Sequence, residues 1–265
     1  MVARGNREAR PIALVTGASA GLGAVFAERL AARGHDLVLV ARDEARLAAL
    51  AEKLEVDHGA ASEVIAVDLS QPTGRERAAE RVARGVDYLV NNAGFGTVGE
   101  FSRLPPQREI DQVELNVVTL ARLTRAALPP MLERKRGRIV NVASMAGLAP
   151  GPFTATYSAT KAFVISLSES LAEETRASGV RVMALCPGFT RTEFQSRANM
   201  RIGHVPALAW MSAEAVVDST LAAIERGEIV HIPGALNRLT REGMRLVPRT
   251  LAARFVGAAS RKFTE

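Results

Sequence analysis

The sequence predicts an α/β fold, a doubly wound and mostly parallel seven-stranded sheet with helices on both faces. Three observations carry that prediction. Short β-branched runs alternate along the chain with stretches whose apolar residues recur at three- and four-residue spacing. The strand candidates are near-continuous apolar runs, as strands covered on both faces must be. The first of them runs straight into a glycine-rich turn that opens a helix.

In chain order the strand candidates are PIALVTG from Pro11, DLVLVAR from Asp36, EVIAVDLS from Glu63, VDYLVNNAG from Val86, GRIVNVAS from Gly137, VRVMALCPG from Val180 and EIVHIPG from Glu228. Helical patterns such as LGAVFAERLAARG (22–34) and ARLAALAEKLEVDHG (45–59) lie between them. No proline- or serine-rich linker divides the chain, so residues 11–233 read as one domain. Residues 1–10 read as a flexible tail, and 234–265 as a basic amphipathic extension of the same domain. At 265 residues and 48% hydrophobic, the chain can bury a substantial core.

No apolar run reaches the roughly 18 residues that span a bilayer, and the basic N-terminus is followed by no signal-type segment. The single cysteine, Cys186, suits a small core residue in a reducing compartment, so a cytoplasmic location is expected. The four histidines lack metal-ligand spacing, and no metal is expected. A net charge of +6 is spread along the chain. Its one tight basic run, ERKRGR (133–138), reads as a solvated helix end, and no nucleic-acid partner is expected.

The turn after the first strand, Thr16 to Gly23, has the spacing GxxxGxG. A tight turn at Gly17, close backbone approach and close helix–strand packing at Gly23 are the demands of a dinucleotide site, whose pyrophosphate sits at the helix N-terminus. Gly17, Ser19, Gly21, Leu22 and Gly23 are therefore candidate cofactor contacts. The second strand chooses the cofactor. Where an NAD site carries an acid, this chain has Ala41 followed by Arg42, whose guanidinium suits a 2′-phosphate. Asp43 reads as the N-cap of the next helix. NADP(H) is the expected cofactor. Asp68 after the third strand is a candidate for the adenine or a plain N-cap or turn residue, Leu69 beside it is a candidate cofactor contact, and Asn92, Ala93 and Gly94 close the fourth strand at the same edge.

Tyr157 and Lys161, in YSATK, stand four apart and hence on one helix face. With TGASAGLG, NNAG, Asn116, Ser144, YSATK and PGFTRT all in order, residues 11–233 resemble the short-chain dehydrogenase/reductase family in its single-domain branch. The resemblance implies a Rossmann-type sheet and a catalytic tetrad of Asn116, Ser144, Tyr157 and Lys161. Tyr157 would donate its phenolic proton to a ketone oxygen as hydride arrives. Lys161 would lower the phenol's pKa and hold the nicotinamide ribose, and Ser144 would bond the carbonyl oxygen. The resemblance implies that Asn116 holds a proton-relay water, and the alternative is a solvent-facing asparagine. Pro187, Gly188, Thr190 and Thr192 would turn the chain over the nicotinamide and its carboxamide.

Residues 189–211 are long for a connection and mix apolar side chains with arginines, as a substrate lid would. Phe189, Phe194, Met200, Val205, Leu208 and Trp210 favour a lipophilic ketone or a 3-oxoacyl substrate. The expected activity is NADPH-dependent reduction. The alternatives are an NADP-dependent alcohol dehydrogenase running oxidatively and a non-catalytic dinucleotide-binding regulator. The resemblance implies a homodimer or homotetramer through the helices around Asn116 and Tyr157. The extension, carrying leucines among basic residues, is read as a helix packed on its own domain, a weak membrane-surface contact or a subunit contact.

Overall fold

A computed structural model describes residues 10–264 except 204 and 262. The expected tail, apart from Arg10, lies outside these residues, as does His204 within the expected lid. Seven strands form one wholly parallel sheet in the order β3-β2-β1-β4-β5-β6-β7. They are β1 (Ile12–Thr16), β2 (Asp36–Ala41), β3 (Ser62–Ala66), β4 (Tyr88–Asn91), β5 (Gly137–Val142), β6 (Val180–Leu185) and β7 (Val230–His231). The order reverses between β1 and β4. That switch point leaves a crevice beyond the carboxyl ends of the strands.

The helices divide between the two faces because β1 alternates. Ala13 and Val15 face one core with Phe26 and Leu30 of α1 (Gly21–Ala32), Leu47 of α2 (Glu44–His58) and Val217 of α8 (Ala213–Glu225). Leu14 faces the other, with Ala78 of α3 (Pro72–Ala83) and Leu123 and Met131 of α5 (Leu120–Glu133). A third cluster joins Val164 of α6 (Ala155–Glu174) to Ala184 and Cys186, so the cysteine is the buried core residue expected. Asp43 caps α2 by accepting a 3.0 Å hydrogen bond from the Arg46 amide, also as expected.

Two local features matter for the site. Between α4 (Pro106–Val113) and α5 the helix widens into a π-helical turn, Glu114–Thr119, which carries Asn116. Short α7 (Phe194–Arg197) lies in the expected lid, and α9 (Ala235–Arg245) and α10 (Arg249–Arg261) form the C-terminal extension. Among the described residues no helix is long and apolar enough to cross a membrane.

Candidate active site

A cavity of about 1260 Å³ occupies the crevice at the switch point. One half is lined by the glycine loop and the ends of β2, β3 and β4. The other is lined by β5, α6, residues 187–200 and the C-terminal extension.

The glycine loop is built for close approach. Gly17 and Gly21 have φ of +66° and +56°, which side-chain-bearing residues adopt at a cost. A Cβ on Gly23 would lie 2.2 Å from the Gly17 carbonyl oxygen, so α1 and the loop can pack only without it. Ala20, the N-cap of α1, provides no side-chain hydrogen bond, which leaves the first amides of the helix for an anion. The backbone therefore fits a pyrophosphate by its shape and its unpaired donors.

The loop is held from below. Thr16 Oγ1 accepts hydrogen bonds from the amides of Asn92 (2.9 Å) and Ala93 (3.0 Å). Asn92 Nδ2 donates to the carbonyls of Thr16 (2.9 Å) and Gly17 (3.3 Å). Asn92 thus reaches the cavity wall while its amide nitrogen is committed to fixing β1 and β4 together. At the end of β2, Arg42 is largely exposed, and its one partner among the described residues is Asp68, with Nη1 4.0 Å from Oδ2. Asp68 also accepts from the amide and hydroxyl of Ser70, at 2.9 and 2.7 Å. Arg46, one turn further on, is engaged by Glu193, within the expected lid, at 3.0 Å.

Among the expected tetrad, Ser144, Tyr157 and Lys161 line the cavity. Ser144 follows β5 and caps a short turn, accepting from the Ala146 amide at 3.1 Å. Its side chain also acts on the Tyr157 phenol, favouring the ionised form. Burial pushes that phenol up to about 12, against the opposing pull of Ser144. Lys161 is 5% exposed, donates from Nζ to the Val142 carbonyl at 2.7 Å, and stands 5.7 Å from the Tyr157 ring centroid. Burial lowers it to about 8. The expectation that Lys161 would bring the phenol down is not met in the protein alone. Desolvation outweighs any ammonium at that distance, and both groups are driven toward their neutral forms.

Asn116 is 1% exposed and does not reach the cavity, which removes the solvent-facing reading. Its Oδ1 accepts from the Phe95 amide (3.2 Å), and its Nδ2 donates to the Phe95 carbonyl (2.9 Å) and to Thr160 Oγ1 (3.1 Å). It ties the loop after β4 to α6, and a Cβ on Gly94 would meet it at 2.8 Å. The π-turn is the local distortion that holds this side chain between the two elements.

The other candidates converge. Ser19, Leu22, Leu69, Ala93, Gly94, Pro187, Gly188, Thr190 and Thr192 all line the cavity, whereas Gly23 and Asn116 stand behind its wall. Thr192 packs on Gly21, where an added Cβ would come within 3.2 Å of it.

A model described as short chain dehydrogenase matches residues 11–202. The chain belongs to the short-chain dehydrogenase family of oxidoreductases. It is 32% identical over 241 residues to a 3-oxoacyl-(acyl-carrier-protein) reductase of Escherichia coli, covering 85% of this chain and 96% of that one. A short-chain dehydrogenase from Sphingobium yanoikuyae, solved in complex with NADPH, superposes with a TM-score of 0.81 at 38% identity, covering 90% of this chain and 96% of that one. A bulky-bulky ketone specific alcohol dehydrogenase from Comamonas testosteroni does so with a TM-score of 0.77 at 35% identity, covering 91% and 96%.

Within this short-chain dehydrogenase the sequence left part of the site unmarked. Thr16, Thr160 and the Val142 carbonyl hold site residues in place through contacts that no local pattern records, although Thr16 directly precedes the glycine turn. Leu236, Asn237, Met244, Val256 and Phe263 of the extension line the cavity. Of the apolar lid residues, Phe189, Phe194 and Met200 line it, while Val205, Leu208 and Trp210 do not. Trp210 instead packs on Phe189, with ring centroids 5.4 Å apart.

Proposed function

We propose that the protein is an NADPH-dependent reductase of lipophilic ketones, 3-oxoacyl compounds included, with Tyr157 as the general acid. One observation carries this reading. Tyr157, with Ser144 beside it drawing its pKa down, lines the same cavity as the glycine loop and the apolar residues of 189–200, and burial keeps its proton on. A dinucleotide held by the glycine loop and Lys161 would supply the hydride. As hydride adds to the carbonyl carbon, Tyr157 would supply the proton to the carbonyl oxygen, downhill, because an alkoxide is far more basic than a phenolate. Ser144 Oγ bonds the same oxygen as its charge grows. Two of the three Lys161 N–H donors remain for ribose hydroxyls. Asn116 positions Gly94 and α6 around them. A phenol held neutral suits reduction. The oxidative direction would need it as a base, which its burial opposes.

Arg42 supports NADPH over NADH, since its largely exposed guanidinium stands at the end of β2 with no acidic side chain at position 41. Arg42→Ala is expected to weaken NADPH by about 10- to 100-fold, the range of a charge-assisted hydrogen bond, and NADH by less than about twofold. Equal losses for the two in a fluorescence titration would refute the assignment.

The apolar half, walled by Phe189, Phe194, Met200, Met244, Val256 and Phe263, supports a lipophilic substrate. The names of the E. coli and Comamonas relatives point the same way. A panel of bulky aryl ketones, 3-oxoacyl thioesters and small polar ketones, followed by NADPH absorbance, tests it. The apolar members should exceed the polar ones by about 100-fold in kcat/KM, the scale set by a few methylenes in an apolar pocket. Preference for the polar ketones, or no turnover with any member, would contradict it. The half-exposed Ile110, Val113 and Val118 on the α4–α5 arm and Phe163 on α6 support a homo-oligomer through that face. A monomer in sedimentation velocity at micromolar concentration would exclude one.

A further inference from the structure

The last helix of the extension, α10, borders the apolar half of the catalytic cavity along one of its faces. Ala252, Val256 and Ser260, with Phe263 just past the helix end, follow one another at spacings of four, four and three residues, which is a single helical stripe. Ala252 and Ser260 are each 6% exposed, and Val256, Ser260 and Phe263 line the cavity. Phe255, by contrast, is 71% exposed. The helix therefore has an inner side turned to the cavity and an outer side turned to solvent.

Both walls of the cavity hold α10. On one side it meets the loop that leads into α6 and so to Tyr157. A Cβ added to Gly257 would lie 3.1 Å from Pro152 Cγ, so the helix crosses that ring at close range. Glycine is a poor helix former, and the close crossing accounts for it here. The Arg261 guanidinium stands over the Phe153 ring, 5.7 Å from its centroid. Phe153 has φ of +64°, a conformation that a bulky residue keeps only where its surroundings hold it. Its carbonyl accepts from the Gly99 amide at 2.8 Å, and Arg261 covers its ring.

The other wall is the segment after β6. The Phe263 ring packs on Phe189 with centroids 5.9 Å apart, and the Phe263 carbonyl accepts from the Arg201 amide at 3.2 Å. A helix tied at both sides is a bar across the pocket, and a lengthening substrate must meet it. Val256 stands next to the Pro152 crossing, and Phe263 makes the Phe189 contact. Tyr157 is bordered by Phe194, Gly96 and Lys161. The bar thus stands a layer of side chains beyond the reacting group, where it can limit size without touching the chemistry.

We propose that α10 is the far wall of the substrate pocket and that Val256 and Phe263 set the length of ketone the pocket accepts. The proposal rests on the ketone-reductase reading above.

The test is calorimetric titration of the full-length protein, saturated with NADPH, with 1-phenylalkanols from 1-phenylethanol to 1-phenyloctanol. An alcohol cannot react while the reduced cofactor is bound, so affinity is read apart from turnover. Wild-type affinity should rise with each added methylene and then level off at one chain length. Val256→Phe, which adds bulk on the inner side, should lower the affinity of the longest member relative to the shortest by about tenfold or more, the scale of a methylene that no longer fits. Phe263→Ala should move the levelling-off to longer chains, and Phe255→Ala on the outer side should leave the series unchanged. A wild-type series with an unchanged profile in Val256→Phe, or an equal loss at every chain length, overturns the wall alone. No binding of any member by the wild type overturns the ketone-reductase reading, and the wall falls with it.

Discussion

Replacing Tyr157 by phenylalanine is expected to lower kcat by about 10³-fold or more, within the range of a lost general acid, while NADPH affinity changes little. Only the hydroxyl is removed. The ring keeps its contact with Phe194, whose centroid is 5.6 Å away, and its place beside Gly96. Ser144 would still bond the substrate oxygen, so the loss reads proton delivery rather than substrate orientation. Because burial holds the phenol near 12, no acidic or neutral pH used in the assay changes its protonation. The deficit should therefore be constant across that range. A variant keeping more than about a tenth of wild-type turnover would remove Tyr157 from the role of acid.

Lys161→Met is expected to make the protein more stable and inactive. Burial lowers Lys161 from 10.5 to about 8, so the folded protein binds its proton less readily than the unfolded chain does. A shift of that size costs the folded state on the order of 3 kcal/mol at neutral pH. The penalty falls away as pH rises from about 8 through 10.5, because over that interval the unfolded chain holds the extra proton. Methionine removes the charge and fills the same channel, but deprives the buried Val142 carbonyl of its donor, at about 1–3 kcal/mol. The net gain is up to about 2 kcal/mol, a few degrees in Tm for a chain of this size. Thermal melts of the variant and the wild type at pH 7 and near pH 10 check it, the gain shrinking at the higher pH. A destabilised variant, or an equal gain at both pH values, would contradict the burial account. The same protonation sets the alkaline limit of activity. Turnover that needs the ammonium should decline as pH passes about 8, well before the phenol titrates.

The parts of this molecule that were legible in the sequence are those set by local periodicity and by backbone geometry. The seven apolar runs became seven parallel strands, and the turn from Thr16 to Gly23 became the crevice loop, because no other residue fits where Gly23 meets the Gly17 carbonyl. Asp43 became a cap because it immediately precedes a helical pattern. What was not legible depends on contacts distant in the chain. Asn116 sits in a π-helical turn, and the reason lies in Phe95 and Thr160, 21 and 44 residues away. The ionisation of Tyr157 and Lys161 follows their burial, which the i, i+4 spacing does not record. The extension after Gly234 reads as a basic amphipathic segment, yet residues such as Met244 and Phe263 are turned into the crevice.

The most direct measurement is a crystal structure of the ternary complex with NADP⁺ and the alcohol produced from the best ketone of the panel. The alcohol oxygen should lie within about 3 Å of both the Tyr157 hydroxyl and Ser144 Oγ, its carbinol carbon facing the nicotinamide. Lys161 Nζ should keep the Val142 carbonyl and bond the nicotinamide ribose. A complex in which the Tyr157 hydroxyl points away from the alcohol, with the nicotinamide bound at the loop, would contradict proton delivery by this residue.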